Sequence, residues 1–580
     1  MRQNSKTEPG RKTAVDEGAV TLTLAQQARE MLESFAVAFI LMLLMRNCLG
    51  ENYQIPTGSM APTLQGRHMD VLCDQCGYQY RTGASIENVD QGQRRGEVTG
   101  TTCPICRYPM ELDKKGNPNH GSFPGDRIIV SKLAYWLAEP KRWDVIVFKC
   151  PADAKVNYIK RLIGLPGETL RIRHGDIYVL DPAGAADAPE QERFRIARKP
   201  PDKVAGMLQL VDDTYYIGNE LQQAGWPSRW VPISQGTETA WRHDLPRSEF
   251  IIDATEKGDW LRYRHLVPRH EDWRAILDGQ KPNLGDYQGR LITDYYAYND
   301  ANFSHSSDDV HWVGDLAVEC EMEVTTGSGE VLLDLVEGGA HFGCSIDVAT
   351  GKATLSVTNG PASFQDEQGT TSLQPQAMTA VRGPGHFQMR FANVDNQLFL
   401  WVNDEIAMFD GPTTFRPAKD VVPQWTPDDA GDFMPLGIGA RKLSMRVSRL
   451  RVLRDVYYLA LMSGARRFYD YDYRFGSLID DVLTNPHSLD RTAMFNSRVD
   501  ATFTMGPDQF FPLGDNSPQS KDARLWSFVV DGKLDPPPAV NRELLIGKAV
   551  SIYWPHAWYL PAFPVWPIVV PNYQRIGFIH

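Results

Sequence analysis

Asn157-Tyr-Ile-Lys-Arg-Leu-Ile-Gly-Leu-Pro-Gly-Glu168 alternates its side chains with period two and then breaks into a Gly-Leu-Pro-Gly turn. That pattern reads as a strand with a tight end. Lys160 stands inside the alternating part. If its side chain points inward, burial disfavours the ammonium and lowers its pKa. A neutral amine can then take the proton of a serine hydroxyl. The ordinary alternative is a surface lysine on a strand. Two further β-branched runs lie just upstream, Asp126-Arg-Ile-Ile-Val-Ser and Asp144-Val-Ile-Val-Phe-Lys, and both read as strands.

Further out on the N-terminal side lies Tyr53-Gln-Ile-Pro-Thr-Gly-Ser-Met-Ala-Pro-Thr-Leu64. A serine beside glycine, flanked by prolines, suits an exposed turn that presents a hydroxyl. On its own such a turn is more often structural. Far downstream, Phe511-Pro-Leu-Gly-Asp-Asn-Ser-Pro-Gln-Ser-Lys-Asp-Ala-Arg-Leu-Trp526 is dense in Gly, Asp, Asn and Ser, which favours a tight, internally hydrogen-bonded loop. An Asp522–Arg524 ion pair would hold it; a plain polar turn is the alternative.

Together these segments resemble the type I signal peptidase family. Ile55-Pro-Thr-Gly-Ser-Met-Ala-Pro-Thr-Leu64 looks like its nucleophile box. Gly125-Asp-Arg-Ile-Ile-Val-Ser-Lys132 and Trp143-Asp-Val-Ile-Val-Phe-Lys149 look like its next strands, and Tyr158–Glu168 like its lysine box. Gly514-Asp-Asn with Ser520, Asp522 and Arg524 looks like its final box. The resemblance implies a mainly β fold with an antiparallel catalytic core, and a membrane-bound serine endopeptidase that cuts signal peptides from secretory preproteins. It implies Ser59 as nucleophile and Lys160 as general base. The Ser59 backbone N–H and the Thr57 hydroxyl would form the oxyanion hole. Ser520 would orient the lysine, and Asp522 with Arg524 would brace the loop. Tyr53, Ile55, Met60, Leu64 and Ile159 would line shallow pockets that select Ala-x-Ala. No cofactor is implied for catalysis. The chain departs from the family where Thr57, Ser517-Pro-Gln and Ala523 stand, and two long insertions interrupt the core.

The chain has eight cysteines in 580 residues, too few for a disulfide scaffold. Cys73-x-x-Cys76 and Cys103-x-x-Cys106 form two tight pairs, and four thiolates at this spacing suit a tetrahedral structural zinc in a ribbon over 73–120. Local or crossed disulfides are the alternative in an extracytoplasmic setting. Cys320 and Cys344 read as buried free thiols in preference to a disulfide. From 290 to 455 short alternating strands separated by turns read as an inserted jelly-roll β-sandwich. Arg390-Phe-Ala-Asn-Val-Asp-Asn-Gln-Leu-Phe-Leu-Trp-Val-Asn-Asp404 resembles concanavalin-like and laminin-G-like domains, which implies a carbohydrate or protein ligand. The assignments along the chain are then a disordered cytoplasmic tail (1–28), an anchor (29–50), and a core over 51–72, 121–180 and 501–555. They continue with an unassigned insertion (181–289), a connector (456–500) and an apolar Pro-rich tail (556–580).

A net charge of −12, with no basic run among aromatics, speaks against nucleic acid as a partner. Ser34 to Met45 carries no charge, and only Glu33 and Arg46 interrupt Met31–Gly50. This reads as an uncleaved single-pass helix in the bilayer of the inner membrane. The Lys and Arg excess before it places the N-terminus in the cytoplasm and the catalytic domain outside. Ser59 would follow the apolar run by about 14 residues. Two other readings compete: a soluble Ser/Lys self-cleaving repressor type, and an inert membrane-tethered protein that displays the sandwich. The anchor argues against the first. Ser59, Lys160 and Ser520, all retained, argue against the second.

Overall fold

The computed structural model describes residues 23–48, 50–88, 96–181, 193–233, 239–244, 248–253, 256, 258–282, 284, 287, 289–303, 309–417, 420–461, 470–526, 529–530, 533–534, 538–560 and 568–580. Residues 1–22 of the expected disordered tail lie outside them, and a helix occupies Leu24–Cys48. Among the described residues no helix is long and apolar enough to cross a membrane. The expected anchor over 29–50 falls largely on the helix Leu24–Cys48. Arg29, Glu30 and Glu33 fall in the first half of the helix, so the uncharged run Ser34–Met45 is twelve residues.

The rest of the chain, Asn52–His580, forms a second compact unit. Its central antiparallel sheet orders the strands Arg127–Ser131, Leu545–Trp554, Val145–Cys150, Asp153–Gly164, Gln509–Leu513 and Val540–Asn541. Every strand anticipated around the lysine is present, and the lysine strand runs from Asp153 to Gly164. Val145–Cys150 pairs with it in the register Ile146↔Lys160 and Val147↔Ile159. Phe511–Leu513 pairs along its other edge, with a register shift between Phe511 and Pro512. Pro512 has no N–H to give a ladder, which suits it to a point of irregularity. Segments 350 residues apart in sequence thus become neighbours through backbone hydrogen bonds. The expected apolar tail also returns to this sheet, where Gly577–Phe578 pairs with Leu545–Trp554.

Two larger antiparallel sheets follow. One orders Trp241–Asp244, Glu249–Ile252, Met445–Arg454, Leu316–Val324, Gly385–Val394, Gln397–Val402 and Glu405–Ile406. The other orders Trp230–Ile233, Asp259–Tyr263, Leu436–Arg441, Glu330–Glu337, Ala340–Asp347, Lys352–Thr358 and Gln376–Met378. Residues of both meet in one apolar core that includes Val318, Cys320, Leu333, Cys344, Phe391 and Ile438. Strand alternation does this: Ala340–Asp347 is buried at every second position. The sheets reach back well before residue 290, because four strands between 230 and 263 complete them. Those strands carry exposed Arg242 and His243 and partly exposed Trp260 and Arg262, which masked their period in the sequence.

Cys320 and Cys344 sit in different sheets, both buried and free. Alkylation of denatured, unreduced protein will therefore label both, and a crosslinked peptide pair containing them would overturn the assignment.

Candidate active site

Tyr53-Gln-Ile-Pro-Thr leads into a single 3-10 turn at Gly58–Met60, with Thr57 extended ahead of it. Gly58 is where the chain passes closest to its cover: a Cβ there would lie 2.3 Å from Tyr298 Cε1. Ser59, next in line, is partly exposed. Lys160 comes from the strand Asp153–Gly164 and is 4% exposed. Its Nζ donates to Ser59 Oγ at 2.7 Å and to Ile159 O at 2.9 Å. Burial pushes the amine down from its usual value to about 8, against the opposing pull of Asp522 and Asp515. A substantial neutral fraction near neutral pH lets this nitrogen act as a base.

The loop after Gln509–Leu513 closes on the turn from below. Asn516 N donates to Ser59 O at 3.1 Å and Asn516 Nδ2 to Gly58 O at 3.1 Å. Arg524 grips Asp522 with two parallel bonds, Nε to Oδ1 and Nη2 to Oδ2, each 2.8 Å, and both side chains are fully enclosed. Asp522 also accepts Gly514 N at 3.0 Å, and Arg524 donates to Ser517 Oγ, Ser517 O and Leu459 O. Ser517, one of the departures from the family pattern, is thus tied into the brace. A second enclosed fork joins Arg161 to Asp515, at 2.7 and 2.8 Å. Because side chains alternate along a strand, Arg161 works on the face opposite Lys160.

The expected pocket residues come together: Ile55, Met60 and Leu64 form one apolar cluster with Val145, Val147 and Ile552, and Tyr53 and Ile159 pack against it. Ser520 differs from expectation. It is buried, yet its Oγ makes no hydrogen bond and so does not hold the Lys160 amine in this arrangement. It lies close to the Ser59 backbone through Gly514, where an added Cβ would be 2.2 Å from Ser520 Oγ and 2.4 Å from Ser59 O. Thr57 makes no capping hydrogen bond to the turn it precedes.

Sequence reasoning missed the residues that hold the turn from the side. Ser85 Oγ accepts Gly58 N at 3.3 Å, Asn88 Nδ2 donates to Pro56 O at 3.2 Å, and Ala84 N bonds Arg67 O at 2.8 Å. Asn299 exchanges amide hydrogen bonds with Asn516 at 2.8 and 2.9 Å. Ser85 and Asn88 belong to the cysteine-bearing insertion, and its strands His68–Leu72 and Gln79–Gly83 run from the turn to Cys73 and back from Cys76. Cys73 Sγ lies 3.5 Å from Cys106 Sγ, and Cys76 Sγ 3.6 Å from Cys103 Sγ. All four sulfurs fall within 4.8 Å of one another. Disulfide sulfurs would be about 2.05 Å apart. Four ligands on a tetrahedron with bonds of about 2.3 Å are separated by about 3.8 Å, so the donor set fits a thiolate-coordinated ion.

Residues 111–218 match the family model described as signal peptidase, peptidase S26; this stretch contains Lys160 but neither Ser59 nor Ser520. A "Signal peptidase I" of Pseudomonas aeruginosa is 30% identical over 139 residues, 24% of this chain and 33% of that protein. A "Probable signal peptidase I-2" of Synechocystis sp. is 32% identical over 111 residues, 18% of this chain and 47% of that protein. The chain thus spans between a third and a half of the length of these relatives. A carbohydrate-binding module CBM66 from Bacillus subtilis is similar at 8% identity and a TM-score of 0.20, over 38% of this chain and 94% of that module; likeness at that level says nothing of what this chain binds. The family match and the relatives together support the peptidase S26 signal peptidase family for the part of the chain built around Lys160.

Proposed function

We propose that the protein is a signal peptidase I, a serine endopeptidase that cleaves signal peptides from secretory preproteins after small residues. The observation that carries the reading is the hydrogen bond from the enclosed Lys160 amine to Ser59 Oγ. In the neutral state the lysine nitrogen takes the Ser59 proton as Oγ bonds to the scissile carbonyl carbon. The resulting ammonium then gives that proton to the leaving amine. Water, deprotonated by the same nitrogen, releases the acyl group from Ser59. The negative oxygen of each tetrahedral stage would be met by the Ser59 N–H and the Thr57 hydroxyl. Ser520 acts through the packing of Gly514 against the turn.

Tyr53, Ile55, Met60, Leu64 and Ile159 would form the shallow walls that accept Ala-x-Ala. The four cysteines would hold a structural zinc, whose role is to fix the ribbon that in turn holds Gly58 through Ser85. The two sheets with a common core would be a jelly-roll sandwich inserted into the protease. An aromatic edge would meet a lipid surface. Ile129 and Phe578 are paired on either side of Ser551, so their side chains share one face. They are 36% and 82% exposed, with Trp136 at 76% as another large exposed apolar side chain.

Incubation with a preprotein ending its signal in Ala-x-Ala tests the reading: cleavage that is lost in Ser59→Ala and in Lys160→Ala is expected. Equal cleavage by wild type and Ser59→Ala, or none by either, would favour an inert binding protein. The rate should fall about tenfold per pH unit on the acid side of about 8, since protonating Lys160 removes the base. Thr57→Val should lower kcat by about 10²–10³ with a small change in KM, whereas Thr57→Ser keeps the rate. Asp522→Ala leaves the Arg524 guanidinium buried and unpaired, and should cost about 3–5 kcal/mol of stability in chemical denaturation. Ser59→Ala in the same assay should leave stability within about 0.5 kcal/mol. Elemental analysis should find one zinc per chain, lost in Cys106→Ser.

A further inference from the structure

A small four-stranded sheet orders Phe194–Ile196, Asp176–Leu180, Thr169–Arg173 and Ala501–Thr504, and where it meets the larger sheets three acidic side chains converge. Asp176 opens the strand Asp176–Leu180, Asp315 precedes the strand Leu316–Val324, and Asp395 sits at the turn between Gly385–Val394 and Gln397–Val402. One carboxylate oxygen from each lies within 4.8 Å of the other two. Oxygens bound to one Ca2+ at about 2.3–2.6 Å can stand up to about 5 Å apart. The trio is not a solvated surface patch: Asp315 and Asp395 are buried and Asp176 is partly so.

The surroundings are short of positive charge. Lys199 Nζ donates to Asp395 Oδ1 at 2.8 Å and to Asp455 Oδ2 at 2.7 Å, which brings a fourth carboxylate in beside the trio. The neighbouring cation Arg454 spends its donors on the carbonyls of Asp455, Asp294 and Tyr295. Asp176, Asp315, Asp395 and Asp455, with Glu337 beside them, thus share Lys199 as the cation hydrogen-bonded among them, in an interior where an uncompensated charge is costly. A separate observation points the same way. Asp455 is 1% exposed, and its second oxygen, Oδ1, has no hydrogen-bond partner on a carboxylate already turned toward Lys199 and Asp395. Asn393, also 1% exposed and two residues from Asp395, has an unpartnered Oδ1. Within the trio Asp315 Oδ2 accepts Asp395 N and Asp395 Oδ2 accepts Lys199 N, each at 2.8 Å, so the carboxylate oxygen left without a donor beside them is Asp455 Oδ1.

We propose that Asp176, Asp315 and Asp395 bind a divalent cation of the hard, oxygen-seeking class, Ca2+ by preference, and that it ties the small sheet to the larger sheets. Asp455 and Lys199 set the charge around it. Asp176 comes from one side of the junction and Asp315 and Asp395 from the other, so the ion would lie across it. The site is independent of the protease reading: it shares no residue with Ser59, Lys160 or the cysteine cluster, and thiolates and carboxylates select different metals.

The full chain, dialysed against a chelator and then titrated with Tb3+ as the probe, tests this. Trp143 is positioned to sensitise the ion, since its ring centre lies 4.9 Å from Lys199 Nζ. One Tb3+ per chain, displaced by Ca2+, is expected, together with a Ca2+-dependent rise of a few degrees in melting temperature. Asp176→Asn removes one charged ligand while leaving the Lys199 pairs in place, and should weaken binding about tenfold or more. Asp315→Asn should do the same; if that variant does not fold, Asp176→Asn alone decides. Sensitised emission absent up to millimolar ion, with no change in melting, would mean that protons neutralise the cluster and would overturn the proposal. Emission that persists unchanged in Asp176→Asn would do so as well.

Discussion

An ammonium costs several kcal/mol to enclose, and an amine costs far less. That difference governs the region around Lys160. The side chain sits in a strand interior, 4% exposed, with its nitrogen against a serine hydroxyl. The carboxylates nearest to it, Asp515 and Asp522, would recharge the lysine if they were free to do so. Each is instead engaged by its own guanidinium, Arg161 and Arg524. The two forks satisfy the acids locally and leave burial as the dominant influence on the amine. The polar interior here thus leaves one particular nitrogen easier to discharge than that of an ordinary lysine.

The same forks fix geometry. A catalytic pair is useful only if its members are held to within a few tenths of an ångström, and neither partner does this alone. The turn Gly58–Met60 is too short to hold itself. It is clamped by Asn516 from the final loop, by Ser85 and Asn88 from the cysteine-bearing insertion, and by Tyr298 over Gly58. Gly514 and Gly58 have no side chains because the backbone and ring atoms pressed against them leave none. Segments around Ser85 and Asn299, distant in sequence from the Gly58–Met60 turn, are therefore part of its scaffold in space.

How much of this was legible beforehand depended on the range of the interaction. Period-two alternation located the lysine strand and its neighbours, and the strands between 317 and 402, because burial on one face is written locally. Paired Cys-x-x-Cys spacing placed four sulfurs together. The pocket residues followed from a family resemblance rather than from any local pattern. What escaped notice was contact between distant segments. Nothing in Ser85 or Asn299 announces that each ends beside the nucleophile turn, and the strands from 230 to 263 hide their period behind partly exposed Trp and Arg side chains. Ser520 marks the limit of a carried-over motif, since here its hydroxyl is buried without a hydrogen-bond partner.

The separation between Arg161 and Asp515, 354 positions along the chain, has a consequence for biosynthesis. A nascent polypeptide that has already emerged past Ser59 and Lys160 still lacks the loop that clamps them. Until the ribosome has delivered the segment around 514–524, Ser59 rests on an unsecured turn, and Lys160 borders a strand edge open to water, where it keeps its proton. On the proposed reading, competence to attack a peptide bond waits for the segment around 514–524, and a chain made only as far as Lys160 does not yet cut its neighbours or itself.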